Sequence, residues 1–321
     1  MPEEWNRALH RWREMNRGRK AVLEGGEAPD ANEEYLFYQT LVGTWPLAGV
    51  GEEGRAEYTR RMQEYMQKAL KEAKLHTSWI KPDEEYERAV SDFVAGALDP
   101  SAGGAFVEDF EEFQRVTTRA GLLNSLAQTL LKTTAPGVPD FYQGTELWAF
   151  TLVDPDNRRP VDYETRRALL ESLRDVGGGD VTEFAAGLLE EYGDGRVKLY
   201  VTARALNFRR EHAELFARGA YVPLRAEGRR AENVVAFARA LDGEGAVVVS
   251  GRFFTRLGVG AEGPLGLSRE AWGDTTLHLE GVGGGRFRDV LTGREFDAGA
   301  GALRLSDVLS PLPVALLTRQ G

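Results

Sequence analysis

The stretch TTAPGVPDFYQGTELWAFTLVDPDNRRPVDY, residues Thr133 to Tyr163, holds turn formers, aromatics and charges more densely than the sequence around it. Gly137 and Pro139 bracket the apolar segment from Val138 to Tyr142, which predicts a short buried strand. The polar residues at the end of this segment are poorly explained as core and indicate a ligand: Gln143, Thr145 and Glu146. The stretch therefore predicts a strand that leads into a functional loop.

The segments on either side of this stretch predict two kinds of architecture. From Met1 to Val201 the sequence is mostly helical and offers scarcely more than one strand, whereas a complete (β/α)8 barrel takes about 250 residues and eight strands. A helix, a Pro-Gly turn and a buried strand form an α/β step. From Ala220 onward, short β-branched segments alternate with Gly-rich turns and predict a small antiparallel β-sandwich. We therefore expect a helical region over 1–215, with one strand that closes a barrel or continues a parallel sheet, and a sandwich over 216–321.

Composition restricts the classes of function. The 321 residues are 42% hydrophobic, enough for one large domain or two ordinary ones, and we expect two. The formal charge of −10 disfavours a nucleic-acid groove or an anionic membrane surface, since both need a basic face. No apolar run approaches the roughly 20 residues that cross a bilayer, and the N-terminal sequence lacks a signal-peptide pattern. We expect a cytoplasmic protein with no membrane or nucleic-acid partner.

Metal and cofactor chemistry is not indicated. The sequence has no cysteine, and its four histidines are scattered without metal-ligand spacing. Aromatics make up 10% of the residues, which suits stacking on sugars but equally suits core packing. We expect no metal and no cofactor, and a neutral ligand fits the composition best.

Two helical segments near the N-terminus leave their roles open. Trp5, Leu9 and Trp12 fall on one face of a helix that starts near Pro2. The following segment, EEYLFYQTLVGTWPL, predicts a short amphipathic helix with core aromatics. The alternative is that some of its side chains line a sugar groove: Tyr38, Gln39 and Trp45.

The segment LHTSWIKPD predicts a loop between two helices. The helix before it ends in a basic cluster, Lys68, Lys71 and Lys74, which we interpret as a solvated face. The next helix begins at Pro82 and Asp83, and its apolar residues repeat at helical spacing: Tyr86, Val90, Phe93 and Ala97. The loop could hold a polyol through His76, the hydroxyls and Trp79; the alternative is that Thr77 or Ser78 is an ordinary helix cap.

Acidic pairs are candidates for catalysis, and only one invites discussion. Asp154 and Asp156 alternate in a loop beside Arg158 and Arg159. The favoured interpretation is that the arginines pair with the aspartates, and a catalytic dyad is the alternative.

The residues also carry a resemblance to known enzymes. PGVPDFYQGTEL resembles the last-strand motif of the α-amylase superfamily of (β/α)8 glycosidases. LVDPDNRRPVDY, together with KLHTSWIKPDEEYERAVSDFV over Lys74 to Val94, is similar to one branch of that superfamily, the maltooligosyl trehalose synthases. The resemblance extends over nearly the whole chain, so it implies an α/β barrel remnant with a helical insertion and a C-terminal sandwich.

The resemblance implies a function and a set of sugar-contacting residues. In the family, the reducing-end α-1,4 linkage of a maltooligosaccharide is converted to α-1,1 by intramolecular transglucosylation. Retention in such a transfer needs two carboxyl groups about 5 Å apart. In the superfamily, strands upstream of the last one supply the catalytic carboxylates, so we expect no catalytic residue here and doubtful activity of the chain alone. The partners would be a maltooligosaccharide and the missing N-terminal part of the enzyme.

The positions that match the family predict binding. Residues beyond the C-terminal end of a barrel strand face the active site, and those residues here are Asp140, Tyr142, Gln143, Gly144 and Glu146. The resemblance adds an acceptor-side group, His76, Ser78, Trp79 and Lys81, and a pocket-wall group, Asp156, Asn157, Arg158 and Arg159. The alternative function is a non-catalytic glucan-binding or structural fragment, or one half of a split enzyme.

Overall fold

A computed structural model describes residues 1–154, 156–174 and 180–320. Helices hold 53% of these residues, and each strand pair among them is antiparallel. The chain forms two compact units. The first comprises 1–118 and 149–160, and the second comprises 119–148 and 161–321. None of the described helices is both long enough and apolar enough to cross a membrane.

The first unit is built from helices and one hairpin. Its elements are α1 (Pro2–Asn16), β1 (Ala21–Leu23), β2 (Gly26–Ala28), α2 (Ala31–Thr44), α3 (Glu52–Ala73), α4 (Glu84–Leu98) and the first part of α5 (Pro100–Thr134). Trp12 lies at the centre of its core, with ring centroids 5.5 Å from Phe110 and 5.4 Å from Phe113. The core arises because the apolar residues of each helix share one face.

The structure decides the open question about the aromatics of α2. Tyr38 is fully buried and Trp45 is 2% exposed, so the core interpretation is confirmed for both, while Gln39 is exposed. The Tyr38 hydroxyl donates to Glu34 at 2.9 Å. The predicted spacing on α4 is also confirmed, because its four apolar residues are all buried: Tyr86, Val90, Phe93 and Ala97.

The second unit places helices before sheets. After the C-terminal part of α5 come α6 (Tyr163–Ser172), α7 (Val181–Glu190), α8 (Arg196–Glu211) and α9 (Ala213–Arg218). The strands and one short helix follow: β3 (Ala220–Pro223), β4 (Ala226–Glu227), β5 (Val234–Leu241), β6 (Glu244–Gly251), β7 (Thr276–His278), β8 (Arg286–Asp289), β9 (Glu295–Asp297), β10 (Ala302–Arg304), α10 (Leu305–Val308) and β11 (Val314–Arg319).

The strands of the second unit form two antiparallel sheets. One has six strands in the order β3-β5-β6-β11-β8-β9, and the other has three in the order β10-β7-β4. Each of the short β-branched segments predicted from Ala220 onward contains a strand, whereas β4, β9 and the β1–β2 hairpin were not predicted. The predicted boundary between 1–215 and 216–321 falls inside α9, within the second unit, and stays a prediction.

The predicted buried strand over Val138 to Tyr142 is wrong. This segment is irregular, Val138 is 95% exposed and Tyr142 is 44% exposed. A strand needs the backbone of a neighbouring strand to satisfy its N–H and C=O groups, and the described residues supply none at this point. Thr145 N donates to Tyr142 O at 3.2 Å, so the segment ends in a turn.

Candidate functional site

The loop between α3 and α4 lines a surface cleft of about 680 Å3 in the first unit. The predicted acceptor-side residues all contribute to its lining: His76, Ser78, Trp79 and Lys81. Acidic and apolar residues complete it, among them Glu72, Ile80 and Asp83. The structure therefore brings this predicted group together in one concave surface, the kind of place where small ligands bind.

Local hydrogen bonds fix the shape of this loop. Helix α3 ends at Ala73, and its C-cap residue Lys74 has a left-handed φ of 58°. Ser78 and Lys81 close a turn, since Ser78 N donates to Lys81 O at 3.2 Å and Lys81 N donates to Ser78 Oγ at 3.0 Å. Thr77 is 3% exposed, and its hydroxyl donates to Glu87 at 2.6 Å and accepts from Asp83 N at 2.9 Å. The loop is thus ordered by its own sequence neighbourhood.

The structure decides between the two interpretations of the hydroxyls. Asp83 caps α4 through a bond from Tyr86 N at 3.0 Å, so the alternative that Thr77 or Ser78 is the helix cap is wrong. Asp83 is the cap because it directly precedes Glu84, the first residue of the helix, and its carboxylate meets the positive end of the helix dipole.

Trp79 is the exposed aromatic of the cleft. It is 58% exposed, its indole N–H donates to Glu72 Oε1 at 3.1 Å, and Lys71 Nζ lies 4.9 Å from the ring centroid. Lys71 also pairs with Glu87 at 3.1 Å. An aromatic ring that is exposed yet held by a hydrogen bond and a cation is well suited to stack on an apolar ligand face.

Two members of the basic cluster on α3 have specific partners. Besides Lys71, Lys68 Nζ donates to Asp154 Oδ2 at 2.7 Å. The interpretation of this cluster as a merely solvated face is therefore wrong for Lys68 and Lys71, because acidic residues distant in sequence reach both.

His76 is held by α2 and α4. Its Nε2 lies 3.1 Å from Asp30 Oδ2, and its ring stacks on Tyr86 with centroids 4.4 Å apart. Burial works against ionisation of Asp30, but the Glu33 N–H and His76 outweigh it and keep the pKa of Asp30 below its usual range. The carboxylate stabilises the imidazole in one position on the cleft rim.

Asp30, Glu33 and His76 also form a group of potential metal ligands, because one oxygen or nitrogen atom of each lies within 4.8 Å of the others. Asp30 and Glu33 form the capping box of α2: Glu33 N donates to Asp30 Oδ1 at 2.8 Å and Asp30 N donates to Glu33 Oε2 at 2.9 Å. Tyr86 donates its hydroxyl to Glu33 as well. Because these oxygens already accept hydrogen bonds at the positive end of a helix, a cation would have to compete with them.

The loop over 149–160 is anchored on α3 by Asp156. This carboxylate is 8% exposed and accepts from Arg61 Nε at 2.9 Å, Arg61 Nη2 at 2.6 Å and Leu152 N at 2.8 Å. Arg159 Nε lies 2.9 Å from it. Burial opposes its charge, but the Arg61 hydrogen bonds, the Leu152 N–H and the arginine charges hold the pKa of Asp156 below its usual range.

The neighbouring residues of this loop are paired too. Asp154 contacts Lys68 and Arg158, and the Lys68 hydrogen bond followed by the Arg158 charge lowers the pKa of Asp154. Arg159 also reaches Glu57 at 2.7 Å. Asn157 Oδ1 is a buried acceptor without a partner among the described residues. The interpretation that the arginines pair with the aspartates is confirmed.

In the second unit, the loop over 136–148 carries the remaining predicted residues. Gln143 Oε1 accepts from the Tyr163 hydroxyl at 3.5 Å. Glu146 Oε2 accepts from Arg166 Nε at 2.9 Å. Glu146, Tyr163 and Arg166 help to line a cavity of about 570 Å3. The Asp140 side chain is exposed, and its carbonyl accepts from Lys132 at 2.9 Å.

Gly144 shapes this loop. Its φ is +85°, and a Cβ at this position would lie 3.2 Å from Val161 Cγ2. Arg166 Nη2 donates to the Gly144 carbonyl at 2.8 Å. The left-handed backbone and the close approach both favour glycine, so Gly144 acts through the backbone.

Several side chains that support these loops were not predicted. The partners of the predicted residues lie 7 to 95 residues away along the chain: Asp30 for His76, Glu72 for Trp79, Arg61 for Asp156 and Arg166 for Glu146. A sequence pattern reports neighbours along a helix or strand, and only the Glu72–Trp79 pair is near enough for such a signal.

Comparisons with known proteins give a consistent result. No protein-family model matches the chain. A protein of Mycobacterium tuberculosis named as a maltooligosyl trehalose synthase is 37% identical over 292 residues, which cover 91% of this chain and 32% of that protein. The structure of the maltooligosyltrehalose synthase from Arthrobacter ramosus is 35% identical with a TM-score of 0.75, over 100% of this chain and 35% of that one.

A second solved structure agrees. A crystal structure of a maltooligosyl trehalose synthase is 29% identical with a TM-score of 0.71, over 99% of this chain and 36% of that one. The chain therefore spans about a third of the length of the relatives that it matches. Nearly all of it is homologous to part of one class of carbohydrate-converting enzyme. That class is the maltooligosyl trehalose synthase family, and the chain corresponds to a C-terminal portion of it.

Proposed function

We propose that the chain is the sugar-binding C-terminal part of an isomerase. The enzyme would convert the reducing-end α-1,4 linkage of a maltooligosaccharide to α-1,1 by intramolecular glucosyl transfer, a step of trehalose biosynthesis. The observation that carries this proposal is the match of 99–100% of the chain to solved maltooligosyl trehalose synthases. The reaction is the one that the resemblance to the maltooligosyl trehalose synthases implies, and the cleft residues suggest what this C-terminal part does in it.

The cleft of the first unit fits the binding half of that reaction. A released glucose must be retained and water excluded before its anomeric hydroxyl can attack, which calls for aromatic stacking and many hydrogen-bond donors and acceptors. Trp79 offers a held, exposed ring, and His76, Ser78 and Lys81 offer polar atoms around it. We assign these four residues to the acceptor glucose.

The other assigned residues lie on the loop over 136–148 in the second unit and on the loop over 149–160 in the first unit. We assign Asp140, Tyr142, Gln143 and Glu146 to sugar near the point of cleavage, and Asp156, Asn157, Arg158 and Arg159 to the shape of the pocket wall. Both carboxylate oxygens of Asp156 already accept hydrogen bonds from Arg61, so the contribution of Asp156 is to fix the loop.

We assign the catalytic carboxylates to the part of the enzyme that this chain does not match. Two observations support this. Asp154 and Asp156 have basic partners, and Asp30 and Glu33 are bonded in a capping box. Within the family fold, 1–215 would form the helical insertion and last strand position of an amylase-type (β/α)8 barrel, and the two antiparallel sheets a C-terminal sandwich. A chain without cysteine is compatible with the cytoplasm.

Binding of maltopentaose, measured by isothermal titration calorimetry, tests this proposal. We expect Trp79→Ala to weaken binding about tenfold, because a stacked aromatic contributes roughly 0.5–1.5 kcal/mol beyond its buried area. Tyr221→Ala is the matched control, since Tyr221 is an exposed aromatic of the second unit, on β3. Absence of binding by the unmodified chain, or equal loss in both variants, would contradict the assignment.

A second candidate is a non-catalytic glucan-binding or structural fragment, or one half of a split enzyme. It is favoured by the coverage of about a third of the relatives' length. Addition of the matching N-terminal portion of a relative separates an enzyme part, one half of a split enzyme included, from a non-catalytic fragment, because only an enzyme part gains activity from it.

A further inference from the structure

The loop over 136–148 has little backbone hydrogen bonding of its own. Thr145 N to Tyr142 O is the backbone pair within it. Its carbonyls are instead satisfied by basic side chains from other elements of the second unit. Arg209 Nη2 donates to Gly137 O at 2.6 Å, Lys132 to Asp140 O at 2.9 Å and Arg166 to Gly144 O at 2.8 Å. The loop is therefore shaped by cations from outside it, each of which reaches one carbonyl of the loop.

The end of this loop rests on the segment that begins α8. Trp148 Nε1 donates to Tyr192 O at 2.6 Å. Gly195 lies so close that a Cβ there would be 2.9 Å from Trp148 N and 3.1 Å from Leu147 Cβ. Lys198 Nζ donates to Leu147 O at 3.1 Å and lies 6.0 Å from the Trp148 ring centroid. We call the segment Tyr192–Lys198 the α8 cradle.

Lys198 is an unusual group in this cradle. The Leu147 carbonyl is its hydrogen-bond partner among the described residues, and no carboxylate there lies within ion-pair distance. Burial, and then the charge of Lys132, lower the pKa of Lys198 to about 8, against a weaker attraction from Glu146. A half-buried ammonium without a carboxylate is unfavourable, and an apolar side chain would fill the same space at lower cost. Such a residue is more readily explained by the backbone that it holds than by stability.

We propose that Lys198 is a positioning residue, which through the α8 cradle fixes the Leu147 carbonyl and so orients Glu146 and Tyr142 toward the sugar. That these two residues contact sugar rests on the proposed function. That Lys198 orders the loop rests on the geometry of the second unit alone. The two parts can be tested separately, because loop order is measurable without a ligand.

The first measurement is the rate of chymotryptic cleavage after Phe141 and Tyr142 in the folded chain. Cleavage requires local opening of the loop, so its rate reports loop order. We expect Lys198→Met to raise the rate about tenfold, in keeping with loss of one hydrogen bond to a charged donor. Lys198→Arg retains a cationic donor and should restore a rate close to that of the unmodified chain.

Arg204→Met is the matched control. Arg204 lies on the same helix and donates to a carbonyl in the same way, but its partner is Val290 O, at 3.0 and 2.6 Å, outside the loop. It should leave the cleavage rate after Tyr142 unchanged. An unchanged rate in Lys198→Met, or an equal rise in both variants, would overturn the positioning role.

The second measurement is the maltopentaose dissociation constant of the same variants. We expect Lys198→Met to raise it about fivefold and Lys198→Arg to restore it, as oriented contacts are lost and regained. A looser loop with unchanged affinity would overturn the role of Lys198 at the sugar. If the unmodified chain binds no maltopentaose, the proposed function fails, and the cleavage rates still decide whether Lys198 positions the loop.

Discussion

Two irregular loops carry most of the predicted sugar contacts, and they are held in opposite ways. The loop between α3 and α4 is ordered largely by residues within about ten positions of it, through the Ser78–Lys81 turn, the Thr77 hydroxyl and the bond from Trp79 to Glu72. The loop over 136–148 depends on Arg166 and Lys198, which lie 20 and 51 residues from their partners. The loop between α3 and α4 is thus ordered mainly by residues near it in the sequence, whereas the loop over 136–148 is ordered by residues from other parts of its unit.

The largest effect should come from Arg166. Its guanidinium donates to Glu146, Gly144 O and Asp162 O, so Arg166→Met leaves a carboxylate and two carbonyls without this hydrogen-bond donor. We expect the free energy of unfolding in urea to fall by about 2–3 kcal/mol. Arg167→Met removes the same charge from a neighbouring exposed residue and should stay within about 0.5 kcal/mol. Similar losses in both would show that the loop does not depend on this distant anchor.

Gly144 gives the next effect. Gly144→Ala places a Cβ in a left-handed position 3.2 Å from Val161 Cγ2, and we expect a loss of about 1–2 kcal/mol. Gly187→Ala serves as its counterpart, because Gly187 lies inside α7 with open space around it and should gain up to about 1 kcal/mol. The unfolding temperature should fall in Gly144→Ala and rise in Gly187→Ala. A shift of both unfolding temperatures in the same direction would contradict the strain expected at position 144.

Thr77 probes the locally ordered loop. Thr77→Val removes a buried hydroxyl that donates to Glu87 and accepts from Asp83 N, and we expect a loss of about 1 kcal/mol. Thr77→Ser keeps the hydroxyl and should recover most of that stability in the same urea titration. If the serine variant is no better than valine, the hydrogen bonds are not what orders the loop.

The remaining prediction is the pH dependence due to Lys198. Its pKa falls from 10.5 to about 8 on folding, so between these values the unfolded chain binds more protons than the folded one. Stability contributed by this group therefore rises as pH increases from 8 to 10.5. Urea titrations across this range should show a shallower rise for Lys198→Met than for the unmodified chain. Identical slopes would mean that Lys198 titrates normally in the folded state.

The sequence predicted those parts of the molecule whose cause is local. Helix α4 was identified because Tyr86, Val90 and Phe93 repeat at helical spacing, and all of them are buried. Strands β5 and β6 were identified from β-branched segments, and they pair along eight residues. In both cases the pattern itself creates the apolar face that burial stabilises.

The errors have the opposite cause. Val138 to Tyr142 has the composition of a strand, yet a strand forms only where another backbone can pair with it, and a sequence window does not contain that partner. The same limit explains why Arg61, Arg166 and Lys198 were not predicted as anchors. The cleft residues around Trp79 were found because their loop is contiguous and because the resemblance to the family includes it.

The proposed function is tested most directly by incubating maltopentaose with the chain alone, and with the chain plus the N-terminal portion of the Arthrobacter ramosus relative. Reducing ends and free glucose are measured together. If the chain is part of an isomerase, we expect no change with the chain alone, and a loss of reducing ends without release of glucose when the two parts are combined. Loss of reducing ends with the chain alone, or no change with the combination, would contradict the proposed function.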